Sequence, residues 1–303
     1  MVCVPSLPFR SGFVALVGKP NVGKSTLLNA YLGKKVSIVS NKPQTTRQRI
    51  LGILTRPDAQ IIFIDSPGWH KPEHPLGKYM VSVAKGIIGE GDVLVMLLDA
   101  AQGFQREDEW VVEQVRAAKR PALLAINKVD RVNKGKLLPL IEEAVSRKLF
   151  EEIIPISATT QVQLDVLLKE MLKRLPEGPR WYQEGQVTDQ STELIIREFI
   201  REAALQATRQ EVPHAVAVSV DHVEQKERAT VIRATIFVER EGQKGILIGK
   251  KGQMLKQIGT AARQEIERWL SQRVFLELWV KVASDWRDNP SRLRDLGYTH
   301  EPK

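Results

Sequence analysis

The chain has 303 residues, 43% of them hydrophobic and 27% charged, and a formal net charge of +9 at pH 7. That length holds two domains with ordinary cores, and the charge points toward polyanionic partners. The single cysteine, Cys3, excludes an intrachain disulfide framework and a cysteine-built metal site, as suits a reducing cytosol, and no signal-peptide core or uninterrupted apolar run of membrane-spanning length is seen.

The apolar run Phe13-Val14-Ala15-Leu16-Val17 predicts a strand over 12–17, and helical apolar spacing predicts a helix over 24–32. Between them lie Gly18, Lys19, Pro20, Asn21, Val22, Gly23, Lys24 and Ser25, followed by Thr26. This is the pattern GxxxxGK[ST] in its strand–turn–helix setting, where backbone N–H groups and a helix N-terminus converge on phosphate. Lys24 is expected to reach the β- and γ-phosphates, and Ser25 to coordinate Mg²⁺.

A strand is expected at 36–40, then a polar stretch holding Gln44, Thr45, Thr46 and Arg47 with the spacing of a switch loop. One threonine, Thr46 by preference, should close over Mg²⁺ when a γ-phosphate is present. Strands over 49–54 and 60–65 lead into Asp65-Ser66-Pro67-Gly68, a DxxG arrangement. Asp65 would hold Mg²⁺ through water, Ser66 and Pro67 shape the turn, and the Gly68 N–H approaches the γ-phosphate.

Trp69 follows, where many small GTPases carry the glutamine that orients the attacking water. An indole cannot polarise that water, so intrinsic hydrolysis should be slow. Asn21 is a candidate ligand for a monovalent cation such as K⁺ placed where an arginine finger would act; a hydrogen bond within its own loop explains it equally well. His70 and His74 read as loop residues, not metal ligands.

Helices over 76–89, 106–118, 136–148 and 164–174 alternate with strands over 92–99, 121–127 and 152–157. The second of those strands ends in Asn127-Lys128-Val129-Asp130. The Asp130 carboxylate can accept from N1–H and the exocyclic amine of guanine, a donor pair that adenine lacks. Asn127 would tie the loop to the phosphate cradle, and the Lys128 stem would lie along the base. Ser157 and Ala158 close the last strand, with a backbone N–H available to guanine O6. GTP and GDP are therefore the expected ligands, and a doubly wound, mostly parallel α/β sheet the expected fold.

The run after Leu175 is rich in Pro and Gly and reads as a seam. The expected division is a nucleotide domain over 1–178, a linker over 179–190 and a second, α+β domain over 191–303. There Ser191 or Thr192 caps an apolar-striped helix, and two β-branched runs form an antiparallel hairpin. Next comes Gly249-Lys250-Lys251-Gly252, then a long helix over 253–270 and a last strand over 274–282 with apolar even positions. Two glycines bracketing two lysines let an RNA backbone approach a helix N-terminus, with Ile246, Leu247 and Ile248 as an apolar floor for bases. A ligand-free interhelical corner is the plain alternative.

With these motifs in this order the chain resembles the Era-like GTPases, P-loop domains joined to a type II KH domain, from about Phe9 to Asn289. The last residues, after Pro290, match nothing in the pattern, and Ser66 stands where Thr is common. The resemblance implies single-stranded binding near the 3′ end of 16S rRNA, favoured by GTP, in assembly of the small (30S) ribosomal subunit. It places RNA contacts on Lys244, Ile248, Gly249, Lys250, Lys251, Gly252 and Lys256, while the motifs themselves put the catalytic roles on Lys24, Thr46, Gly68 and Asn21. It also implies peripheral contact at the inner face of the cell membrane; the single cysteine favours a cytoplasmic location, the lack of a long heptad array favours a monomer, and no DNA partner is expected. The reading kept beside it is a GTP-gated adaptor in membrane or division signalling whose second domain binds protein.

Overall fold

The computed structural model describes residues 8–42, 44–69, 71–72, 74–208 and 212–298; Cys3 and His70 lie outside them. The chain forms two compact units. One comprises residues 1–37, 46–71 and 80–189, and the other 38–45, 72–79 and 190–303.

The first unit is a six-stranded sheet in the order β2-β3-β1-β4-β5-β6. Its strands are β1 (Arg10–Val17), β2 (Ile50–Thr55), β3 (Ala59–Asp65), β4 (Val93–Asp99), β5 (Ala122–Asn127) and β6 (Glu152–Pro155). Only β2 runs antiparallel to its neighbour. Strands β3, β4 and β5 are buried at every position, as near-continuous apolar runs require in a sheet covered on both faces. The covering helices are α1 (Lys24–Leu32), α2 (Pro75–Glu90), α3 (Arg106–Ala118), α4 (Lys134–Ser146) and α5 (Leu164–Arg174). Ala84, Ile87, Val111, Val115 and Ala144 from these helices join the strand residues in one core.

Residues 36–40, read from sequence as a strand, are irregular. The Asn29 side chain takes the place of a strand partner: its Oδ1 accepts from Val36 N and Ser37 N at 2.9 and 3.0 Å, and its Nδ2 donates to Ser37 O at 2.7 Å.

Residues beyond α5 are laced to the same unit. Gln60 Oε1 accepts from the N–H groups of Trp181 and Tyr182, and its Nε2 donates to Tyr182 O. On the outer side of β2, Ile53 N donates to Val187 O at 2.9 Å and Thr188 Oγ1 to Leu51 O at 2.6 Å.

The second unit has a three-stranded sheet of β7 (Ala217–Gln225), β8 (Ala229–Val238) and β9 (Arg273–Val282). β7 and β8 form the antiparallel hairpin, with an irregularity between Val220 and His222; β9 runs parallel to β8. A parallel neighbour demands a crossover. That crossover is α8 (Glu241–Ile248), a glycine turn and α9 (Gln253–Leu270). α6 (Thr192–Ala207) starts at Ser191, whose Oγ accepts from Leu194 N at 3.2 Å. α7 (Val212–Ala215) and α10 (Pro290–Asp295) complete the unit. Its core gathers Phe199 and Ile200 of α6, Ile232 and Ile236 of β8, Leu247 of α8, and Ile258, Ala262 and Ile266 of α9.

Candidate functional site

β1, β3, β4, β5 and β6 are parallel, so their carboxyl ends open on one edge of the first unit. The loop 18–25 leaves β1 there. Lys24 is 6% exposed, and its Nζ donates to Gly18 O at 3.0 Å and Lys19 O at 2.9 Å. Burial depresses its pKa to about 8 against the opposing pull of Asp65 and Asp108. Gly18 and Val22 are buried and offer backbone only, while Pro20, Gly23, Ser25 and Thr26 are partly open and Asn21 is exposed. Asn21 is left-handed, with φ 62°. Lys19 turns away from the loop's mouth, its Nζ donating to the buried Asp108 at 2.8 Å.

Three expected oxygen ligands come together. Ser25 Oγ donates to Asp65 Oδ2 at 2.6 Å and lies 3.0 Å from Thr46 Oγ1. Ser37 Oγ, unforeseen from the sequence, also donates to Asp65 Oδ2 at 2.8 Å. Asp65 is fully buried, and its Oδ1 has no hydrogen-bond partner. Burial raises its pKa, with Lys24 and the hydroxyl donors pulling the other way. A buried carboxylate with a spare oxygen beside two hydroxyls fits a hard cation such as Mg²⁺. Of the two threonines, Thr46 faces this group; Thr45 Oγ1 instead donates to Lys42 O at 2.6 Å.

Ser66 contributes more than backbone: its buried Oγ donates to Leu16 O at 2.7 Å. Pro67 and Gly68 are buried beside it. Trp69 is 4% exposed and packs into the core, so its side chain offers nothing to a water at the phosphate.

The base-recognition residues converge on the same edge. Asn127 Nδ2 donates to Val22 O at 2.8 Å, and its Oδ1 accepts from Ala158 N at 3.0 Å. Lys128 Nζ donates to Asn21 O and to Asp99 Oδ2, each at 2.7 Å. Ser157 Oγ donates to Asp130 Oδ1 at 2.6 Å, orienting that carboxylate. Asp99 was not among the expected residues. Its signal was an acid closing an apolar strand, level with Asn127 across the β4–β5 pair.

In the second unit the glycine turn joins α8 to α9. Gly249 and Gly252 have φ of 71° and 75°, and Lys251 is also left-handed at 50°. A Cβ at Gly249 would meet Met254 N and Cβ within 3 Å, so the turn admits only glycine there. Lys250, Lys251 and Lys256 are exposed; Lys244 is partly covered and 3.7 Å from Glu241. The expected apolar floor is narrower than the sequence suggests: Leu247 faces the core, leaving Ile246 exposed and Ile248 partly so. A groove of about 350 Å³ continues from Gly252 between α9 and β9, lined by Leu255, Lys256, Thr260, Arg263 and Leu278. These residues escaped the sequence reading because the groove forms only when β9 returns beside α9.

Comparison with known proteins agrees with this geometry. Residues 13–128 match a family model described as a 50S ribosome-binding GTPase, and residues 211–287 match a KH domain. A solved structure of Era with MgGDPNP and nucleotides 1506–1542 of 16S ribosomal RNA is 45% identical. The match covers 96% of this chain and 99% of that one, with a TM-score of 0.94. A variant of Aquifex aeolicus Era bound to GDP and AlF4⁻ is 44% identical over 96% of this chain and 100% of its own, with a TM-score of 0.93.

Proposed function

This chain belongs to the Era family of GTPases, and on that footing we propose that it is a GTP-hydrolysing switch whose KH domain holds single-stranded 16S rRNA near its 3′ end. It binds GTP and GDP with Mg²⁺, hydrolyses GTP, and binds 16S rRNA. The observation that carries the reading is the meeting, on one sheet edge, of a phosphate loop with an aspartate oriented for guanine.

In the proposed mechanism Asp130 accepts from the guanine N1–H and amine, and the Ala158 N–H, which donates to Asn127 Oδ1 at 3.0 Å in this structure, would be shared with O6. The Lys24 ammonium, steadied by the Gly18 and Lys19 carbonyls, reaches the β- and γ-phosphate oxygens, where it offsets charge developing in the transition state. Ser25, Thr46 and Asp65 would hold Mg²⁺, which supplies further charge neutralisation at the phosphates. Water attacks the γ-phosphorus, the bond to the β-bridging oxygen breaks, and GDP and phosphate leave. Gly68 donates its N–H to the γ-phosphate. Because Trp69 is buried in the core, no side chain at that position orients the water, and turnover is slow without help. Asn21, exposed at the mouth of the loop, is the proposed ligand for K⁺ in the place of an arginine finger. Turnover in potassium should exceed that in sodium; equal rates remove the role.

In the second unit the RNA backbone would follow Gly249–Gly252, with Lys250, Lys251, Lys244 and Lys256 on phosphates and Ile248 against a base. The finer proposal is service in small-subunit assembly in the cytoplasm, with peripheral contact at the inner membrane face. Among the described residues no helix is long and apolar enough to cross a membrane, and sedimentation with anionic vesicles tests the peripheral contact. The protein-binding adaptor reading is not favoured, given the KH match.

The test is crosslinking to total cellular RNA with a non-hydrolysable GTP analogue and with GDP. Enrichment of one small-subunit rRNA site with the analogue alone supports the switch; absence of enrichment in both states refutes it.

A further inference from the structure

The mechanism above leaves a buried pair of charges unused. Lys19 and Asp108 are 7% and 0% exposed, and Lys19 Nζ donates to Asp108 Oδ2 at 2.8 Å. The same oxygen accepts the Gln105 N–H at 2.9 Å, at the start of α3, where the helix dipole favours an anion. Such a pair adds little net stability over well-packed apolar side chains, because both charges lose water. Burial raises the Asp108 pKa even though Lys19 pulls it down. Stability alone therefore gives a poor account of this pair.

Its position gives a better one. Gly18 O and Lys19 O both receive Lys24 Nζ, and Gly18 O also receives the Trp69 N–H at 3.3 Å. Pro20 lies so close to Gly68 that a Cβ on residue 68 would meet Pro20 N and Cα at 2.6 Å. Residues 18–20 thus set both the resting place of the Lys24 ammonium and the height of the Gly68 backbone. The Lys19 side chain pegs that stretch into α3 from outside the loop.

We propose that Asp108 is a positioning residue for GTP hydrolysis, acting through Lys19 to fix residues 18–20 so that Lys24 and Gly68 meet the γ-phosphate in register. This rests on the GTPase reading. GDP has no γ-phosphate for Gly68 to meet and would keep the base site and the loop N–H groups from Asn21 onward, so its binding should fall less than turnover. A misplacement of about 1 Å at a reacting group costs up to about 10²-fold in rate.

The test uses the full chain. Asp108→Asn keeps the shape and removes the charge; kcat is expected to fall about tenfold while the GDP Kd stays within about twofold. The double variant K19M/D108L replaces the pair with apolar side chains of similar bulk, and it should melt no lower than D108N yet turn over as slowly. If D108N does not fold, this double variant alone decides. Wild-type kcat in folded D108N overturns the proposal. Recovery of kcat in K19M/D108L does so as well, as does a loss of GDP affinity parallel to the loss of kcat. Failure of the GTPase reading looks different: the unmodified chain would then bind GDP and hydrolyse no GTP.

Discussion

Asp99 and Lys128 form a 2.7 Å ion pair behind the base-recognition loop, and the same ammonium donates to the Asn21 carbonyl in the phosphate loop. The base site and the phosphate site are therefore joined by one side chain held at its back. Asp99→Ala leaves that ammonium, whose side chain is 22% exposed, with one protein partner fewer. A charge-assisted bond of this kind is worth about 1.5–3 kcal/mol to the fold, and because it is present with or without nucleotide, only the part that positions Lys128 reaches binding; GDP and GTP affinity should each fall, by about the same factor. Displacement of a fluorescent guanine nucleotide measures this, with a melting curve to establish folding.

Asp130 is proposed to select guanine through two accepted hydrogen bonds, with Ser157 Oγ holding its Oδ1. Asp130→Asn turns one acceptor into a donor and should lower GTP affinity by about 10²-fold or more. Xanthine, which carries a carbonyl where guanine has its amine, should gain affinity in the same variant. Competition binding with GTP and XTP reads both effects.

The buried Lys24 ammonium predicts a pH dependence. Its pKa is lowered from the ordinary 10.5 to about 8, chiefly through burial. Between those values the unfolded chain holds a proton that the folded chain has released, so this group's contribution to stability rises with pH across that window. Polyphosphate binding favours the charged form and reverses the depression. Nucleotide affinity should be full below about pH 8 and decline above it, with proton uptake on binding. Calorimetry at about pH 9 in buffers of different ionisation enthalpy detects that uptake; at pH 7 the Lys24 share of it should vanish.

Lys250 and Lys251 lie exposed in the glycine turn. Replacing both by Ala should weaken RNA binding and reduce the slope of log K against log salt by about 1.4, at about 0.7 per phosphate on a single strand. GTP turnover in the absence of RNA belongs to the other unit and should be retained. Filter binding over a salt series gives the slope.

Local pattern carried much of this molecule. The strand, glycine turn and helix around Lys24 were legible because each is specified by neighbours within about ten residues, as was Ser191 ahead of α6. The apolar residues Val36 and Ile38 looked like strand, but the Asn29 side chain occupies the backbone groups that a partner strand would have bonded. Asp108 and Ser37 were invisible for a different reason: their partners lie 28 to 89 residues away and meet them only when the sheet edge assembles. α10 announces itself in retrospect by a capping Asn289 and Pro290 in its first turn.

The lacing of residues 181–188 onto β2 and β3 has a practical consequence. β2 is an edge strand, and an uncovered edge invites pairing with another chain. Val187 and Thr188 take up bonding positions along that edge, and Gln60 clamps the approach to it. A nucleotide-binding half expressed alone and cut at residue 178 would bare the edge and self-associate. Carried on to residue 189, it keeps its own cover and should stay monodisperse.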